Sequence, residues 1–144
     1  MIAIGSDHGG FELKEHIKKY LTEKGIEIKD FGTHSEQSVD YPDCARPVCE
    51  AVLKEECERG ILICGTGIGI SMAANKFKGI RAALCTNVFS AKMAKEHNNA
   101  NIICLGGRVT GRELAFMIVD AFMDAEFQGG RHAERIKKIH EIEA

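Results

Sequence analysis

Ile61-Leu62-Ile63-Cys64-Gly65-Thr66-Gly67-Ile68-Gly69-Ile70 lies in the middle of the chain and has the pattern of a buried strand running into a glycine-rich loop and a helix. A short apolar run ends in a cysteine, a loop with glycine at every second position follows, and Ser71 to Lys76 continues as a helical stretch. The order is strand, anion-cradling loop, helix. Glycines let consecutive N–H groups point into one concavity, which suits a phosphate or an oxyanion. A thiol on the strand tip, beside those groups and a helix N-terminus, is favoured as the thiolate. Cys85 and Cys104 lack such a loop and read as core residues.

Working outward, strand and helix patterns alternate. Ile2 to Gly5 reads as a strand. Leu13, Ile17, Tyr20 and Leu21 recur at helical spacing, and Gly25 stops that helix. Ile26, Ile28 and Phe31 alternate as a strand, a polar loop runs from Gly32 to Pro42, and Ala45, Val48, Cys49 and Val52 share one helix face. Beyond the central strand come a helix over Gly69 to Lys76, a strand over Ile80 to Leu84 and a helix over Phe89 to Glu96. Ile102 to Leu105 is the fifth strand. Thr110-Gly111-Arg112-Glu113 has the form of a capping box opening a helix through Met123, and a last helix runs from Arg131 to Ile142. Repeated strand–helix units with continuous apolar strands predict a single α/β domain over residues 1–144. The expected architecture is a Rossmann-like three-layer α/β/α sandwich around a five-stranded parallel sheet.

Three strands end alike. Ile4 runs into Gly5-Ser6-Asp7-His8-Gly9-Gly10, Ile63 into Cys64-Gly65-Thr66-Gly67, and Leu105 into Gly106-Gly107-Arg108. Ligands of open parallel sheets bind beyond the carboxyl ends of the strands, so Asp7, His8, Cys64, Thr66 and Arg108 are placed around one crevice. A dinucleotide loop fits poorly: Ile70 stands where the last glycine of G-x-G-x-x-G belongs, and no acidic residue follows roughly 20 positions on. His97-Asn98-Asn99 closes a helix and reads either as a cap or as an imidazole presented to a ligand. Arg131 and Arg135 share a helix face, which makes a solvated stripe or a phosphate clamp. His16, His34, His132 and His140 have no comparable context and read as surface or structural.

Composition bounds the function. The 144 residues are 44% hydrophobic and 28% charged, an ordinary globular balance. The net charge of −2, from 19 basic and 21 acidic residues, disfavours nucleic acid as a partner. No apolar stretch approaches the roughly 18 residues of a membrane span, and the N-terminus enters a strand directly, so a cytoplasmic chain is expected. The six cysteines show no metal spacing and read as reduced thiols; no metal is expected.

Taken together, the motifs resemble the type B ribose-5-phosphate isomerases, a family that includes the galactose-6-phosphate isomerase subunits. The resemblance runs through Gly5 to Phe11, Asp40-Tyr41-Pro42, Gly60 to Ile70, Ala73 to Lys76, Gly79 to Ala82, His97 to Asn101, Gly106 to Arg108 and Gly129 to His132. It implies an aldose–ketose isomerase of the pentose phosphate pathway, interconverting ribose 5-phosphate and ribulose 5-phosphate without a cofactor. Carried over, Cys64 is the base that moves the proton between C1 and C2. His97 opens the furanose ring with Asp7 assisting, and Thr66 completes the catalytic set. Gly65, Thr66, Gly67, Ile68 and Gly69 hold the enediolate. Asn98 contacts a sugar hydroxyl, while His8, Arg108, Arg131 and Arg135 anchor substrate, the arginines chiefly through phosphate. The resemblance also implies a homodimer, in some members a tetramer, with sites shared between subunits and the C-terminal helix (about 130–142) contributing to the dimer. Two alternatives stay open: the same chemistry on allose or galactose 6-phosphate, and a noncatalytic sugar-phosphate or nucleotide-binding module.

Overall fold

The computed structural model describes residues 1–143. Five strands form one parallel sheet: β1 (Ile2–Ser6), β2 (Ile28–Asp30), β3 (Arg59–Cys64), β4 (Ala82–Leu84) and β5 (Ile102–Gly106), in the order β2-β1-β3-β5-β4. Six helices connect and cover them: α1 (Phe11–Glu23), α2 (Tyr41–Leu53), α3 (Ile68–Ala74), α4 (Val88–Glu96), α5 (Arg112–Asp124) and α6 (Arg131–Ile142).

The strands are apolar on both faces because both faces are covered. Ile2, Ile4, Ile61, Ile63, Ile103 and Leu105 point into the layer of α1, α4 and α5. Ala3, Leu62, Cys64, Ile102 and Cys104 point the other way, into the layer of α2 and α3. The period of two along each strand produces this division. Burying one such large side chain contributes about 1.5–3 kcal/mol. The expected three-layer α/β/α sandwich is therefore the one observed.

Chain order reverses at β1 and β3: β1 leads outward to β2 on one side, and β3 starts the other half of the sheet. Register pairs Ser6 with Ile63 and Cys64 with Gly106, so three strand tips lie level. A crevice at the carboxyl end of this reversal is where a doubly wound sheet binds its ligand. The opposite edge is closed by the chain entering β5. Gly60 N–H donates to Asn101 O, and Asn101 N–H to Arg81 O. There α6 is tied down near its end by Arg81 to His140 and by Gly79 N–H to Glu143.

Some expected boundaries are corrected. β2 is shorter than the Ile26–Phe31 pattern, and β4 begins at Ala82 because Arg81 spends its backbone and side chain on the Asn99–Asn101 turn. The capping box at Thr110 does not form. Thr110 N–H bonds Gly106 O, its side chain is buried, and Gly111 becomes the N-cap without a side-chain bond. Glu113 instead pairs with Arg112 at 3.2 Å.

One buried ion pair braces the first βαβ unit. Lys14, fully buried on α1, reaches Asp30 Oδ2 at 2.6 Å, and Lys18 reaches the same oxygen at 2.7 Å. Asp30 Oδ1 accepts from Gly32 N–H, and Gly32 O accepts from Ser6 N–H at 2.7 Å. The chain entering Asp7 is thus held from the β2 side.

Candidate active site

At the tip of β3, Cys64 is buried with its thiol turned to the α2–α3 layer. Gly67 N–H donates to its sulfur at 3.1 Å, the first link between the thiol and the loop. Gly67 is the N-cap of α3 with φ of 80°, the left-handed conformation that glycine adopts cheaply. A Cβ there would stand 2.5 Å from Leu84 Cδ1 and 2.9 Å from the Leu105 carbonyl carbon. The loop needs glycine at this position both for its turn and for its closeness to β5. Thr66 is exposed, and its Oγ1 accepts from Ile68 N–H at 3.1 Å.

The other two strand-end loops close on this one. Asp7 N–H donates to Ile63 O, Gly107 N–H to Cys64 O at 2.8 Å, and Arg108 N–H to Gly65 O at 3.0 Å. The Arg108 guanidinium lies against the loop, since a Cβ on Gly65 would be 3.0 Å from Nη1. Asp7 is buried and its Oδ1 accepts from Gly10 N–H, which caps the short turn His8–Gly10. His8 Nδ1 accepts from Val39 N–H at 3.2 Å. In the neutral ring this puts the proton on Nε2, leaving a donor for a ligand. A cavity of about 450 Å³ opens beside His8 and Arg108, and its wall continues through Glu12, His16 and Arg112. Asp7, His8, Cys64, Gly65 to Gly69 and Arg108 therefore gather at one edge, as their positions after the strands predict.

His97, Asn98, Arg131 and Arg135 do not join them. His97 ends α4, and Asn99 and Asn101 hold the Arg81 segment at the amino edge of the sheet. A five-residue strand such as β5 separates the two edges by roughly 16 Å. Arg131 opens α6 after Gly130, and both arginines are exposed. One chain thus carries these residues in two groups at opposite edges of the sheet, a thiol with its glycine loop at one and an imidazole with two arginines at the other.

Several residues here gave weaker signals in the sequence. His132 is buried rather than on the surface, and its ring stacks on His97. Burial, with His97 and then Arg131 and Arg135 beside it, pushes its pKa down. His140 is likewise engaged, paired with Glu143 and Arg81. His16 lines the cavity one helical turn from Glu12, 3.8 Å away. Tyr41 lies against the cradle: a Cβ on Gly69 would meet its ring at 2.6 Å. Cys44, next to the crevice, is raised by burial and then by Asp7, Asp43 and Asp40, which keeps it a thiol. Among the described residues no group of three His, Cys, Asp or Glu side chains is arranged to hold a metal ion, and no helix is long and apolar enough to cross a membrane.

Residues 2–139 match the family model described as Ribose/Galactose Isomerase. Ribose-5-phosphate isomerase B of Escherichia coli is 51% identical over 142 residues, which cover 99% of this chain and 95% of that protein. The solved ribose-5-phosphate isomerase B of Clostridium thermocellum superposes with a TM-score of 0.97 at 61% identity, covering 99% of this chain and 96% of that one. The enzyme of Mycoplasma genitalium, solved with bound ribulose 5-phosphate, gives 0.94 at 44% identity over 99% and 95% of the two chains.

Proposed function

Because the chain belongs to the ribose/galactose isomerase family, we propose that it interconverts D-ribose 5-phosphate and D-ribulose 5-phosphate through an enediolate. It is an aldose–ketose isomerase. The observation that carries the chemical route is the Cys64 thiol at the strand tip, its sulfur accepting from Gly67 N–H at 3.1 Å in the glycine-rich loop.

His97 donates a proton to the ring oxygen and Asp7 takes one from the anomeric hydroxyl, which opens the furanose to its aldehyde. The Cys64 thiolate then removes the C2 proton, and electron density moves onto the C1 oxygen. Gly67 N–H is held by the Cys64 sulfur and Ile68 N–H by Thr66 Oγ1, so the remaining N–H groups of Gly65 to Gly69 are the ones offered to the oxygen where charge develops, the kind of preorganised stabilisation that lowers such barriers most. The thiol proton exchanges with solvent, and a proton from sulfur is then delivered to C1, giving the ketose and regenerating the thiolate. The second proton passes from the C2 hydroxyl to the C1 oxygen, and the Thr66 hydroxyl is suited to relay it, its Oγ1 being oriented by Ile68 N–H. Arg108, Arg131 and Arg135 grip the phosphate end, His8 helps anchor the substrate, and Asn98 contacts a hydroxyl. That remote binding energy aligns the reacting carbons.

This assignment needs both groups of residues at one substrate, so the proposal includes a homodimer in which His97, Asn98, Arg131 and Arg135 come from a second copy. Exposed apolar residues support it: Ile68, Met72, Leu84 and Phe89 flank α3, β4 and the start of α4, with Phe89 72% exposed. Six free cysteines fit a reducing, cytoplasmic setting, where the reaction would serve the pentose phosphate pathway. The hexose 6-phosphate reading draws on the family model, whose description names galactose as well as ribose.

The test is isomerisation in D2O with each substrate. Deuterium must enter C1 of ribulose 5-phosphate during turnover; a binding module would bind phosphate and incorporate none. Comparing rates on ribose 5-phosphate and allose 6-phosphate separates the two sugar readings.

A further inference from the structure

The turn that carries His97 and Asn98 is braced from inside. Lys95 in the last turn of α4 donates from Nζ to Asn99 Oδ1 at 2.9 Å, a bond that spans Glu96, His97 and Asn98. Asn99 has φ of 45°, a left-handed conformation that costs most residues energy and asparagine less. Its backbone is fixed as well: Asn99 N–H donates to Lys95 O, and Arg81 Nε donates to Asn99 O at 2.9 Å. We propose that Lys95 is a positioning residue for the isomerisation: by holding Asn99 it fixes the turn that presents His97 and Asn98 to substrate. The proposal rests on the reading of His97 as the ring-opening acid.

Lys95 is half-buried. The charged groups facing it are Arg59 from the start of β3, Arg81 from before β4 and Glu126 from after α5. Arg59 is itself committed to the carbonyls of Phe122, Met123 and Ala125, so it stays in place as a neighbouring cation. On α4, Lys92 and Glu96 pair with each other at 3.8 Å. The negative end of α4 favours a cation at Lys95. Burial, then Arg59 and Arg81, outweigh it and bring the ammonium down to about 8. A charged donor holds the Asn99 carbonyl more strongly than a neutral amine. The brace is therefore strongest below that pH and weakens as the pH rises through it.

Rates are measured from about pH 6 to about pH 10 for the wild type, Lys95→Arg, Lys95→Met and Asn99→Gly. Two readouts are taken: kcat on ribose 5-phosphate, which needs ring opening, and deuterium exchange into open-chain ribulose 5-phosphate, which does not. Misaimed catalytic groups lose rate steeply, so Lys95→Met is expected to lower kcat on ribose 5-phosphate by about tenfold while exchange changes less than about twofold. The wild-type kcat falls above a pH of about 8. Lys95→Arg keeps the rate and carries it past that limit. Asn99→Gly tolerates the left-handed turn but lacks the acceptor, so it matches Lys95→Met and decides the matter if Lys95→Met does not fold. Equal losses in both readouts, or an alkaline limb unchanged in Lys95→Arg, would overturn the proposal. A wild-type chain that exchanges no deuterium overturns the isomerase reading itself, and the brace with it.

Discussion

The rings of His97 and His132 lie stacked, 4.2 Å between centroids and 9° from parallel, joining the end of α4 to the first turn of α6. The contact ties the imidazole assigned to ring opening to the helix that carries Arg131 and Arg135. Burial leads the downward shift of the His132 pKa, followed by His97 and the two arginines. A histidine whose folded pKa is depressed binds fewer protons in the fold than in the unfolded chain. Its neutral form contributes stability fully above the ordinary value of 6.5, and that contribution is lost as pH falls toward the folded pKa. His132→Phe keeps a ring to stack but cannot titrate. Tm measured against pH should therefore fall less steeply below about pH 6.5 in this variant than in the wild type.

The proposed homodimer, with each site shared between two copies, predicts complementation. Cys64→Ala and His97→Asn should each be inactive as homodimers. Co-expressed and purified as a mixed dimer, they form one site with both defects and one intact site. The mixed dimer is expected to regain up to about half of wild-type kcat, because each intact site works by its own positioned groups. Activity that stayed absent in a verified mixed dimer would place both residues in the same site of one chain.

The sheet and its binding edge were legible in the sequence because buried parallel strands are continuous apolar runs, and three of them end in glycine. β2 and β4 were less so: each lies at a sheet edge and keeps three residues, with the flanking residues engaged in loop hydrogen bonds. Thr110 matched a capping pattern, yet a backbone bond to Gly106 displaced it from the cap by one residue. Asp7, His8, Cys64 and Arg108 could be grouped because each follows a strand. That His97 lies at the far edge follows from α4 running antiparallel to the strands, as a crossover between two parallel strands must, so the alternation of strand and helix already implied it. His132 sits in a charged helix, and nothing in its sequence neighbours signals the His97 ring.

Gly67 should tolerate no side chain. In Gly67→Ala the added Cβ meets Leu84 and Leu105 at 2.5–2.9 Å, and φ of 80° is strained for alanine. Relaxation would shift the loop away from the Cys64 sulfur. A loss of about 2–4 kcal/mol in urea unfolding is expected, together with a fall in kcat.

Asp30 faces a buried lysine. Burial alone would raise its carboxyl, but the hydrogen bonds from Lys14, Lys18 and Gly32 outweigh this and hold it below the usual value of 3.8. Its depressed pKa gives stability that is present above the ordinary aspartate value and lost as pH falls below it. Asp30→Asn leaves Lys14 buried without its partner charge, at a cost of about 3–5 kcal/mol. Urea midpoints at neutral pH should record that loss, and the variant's stability should depend less on pH in the acid range.

The proposed isomerisation depends on the Cys64 thiol as its base. Its most direct test is kcat of Cys64→Ala on ribose 5-phosphate, measured beside the binding of inorganic phosphate by the same protein. Removing the group that transfers the proton should lower kcat by about 10³-fold or more while phosphate binds as in the wild type. Near wild-type turnover in Cys64→Ala would contradict the account.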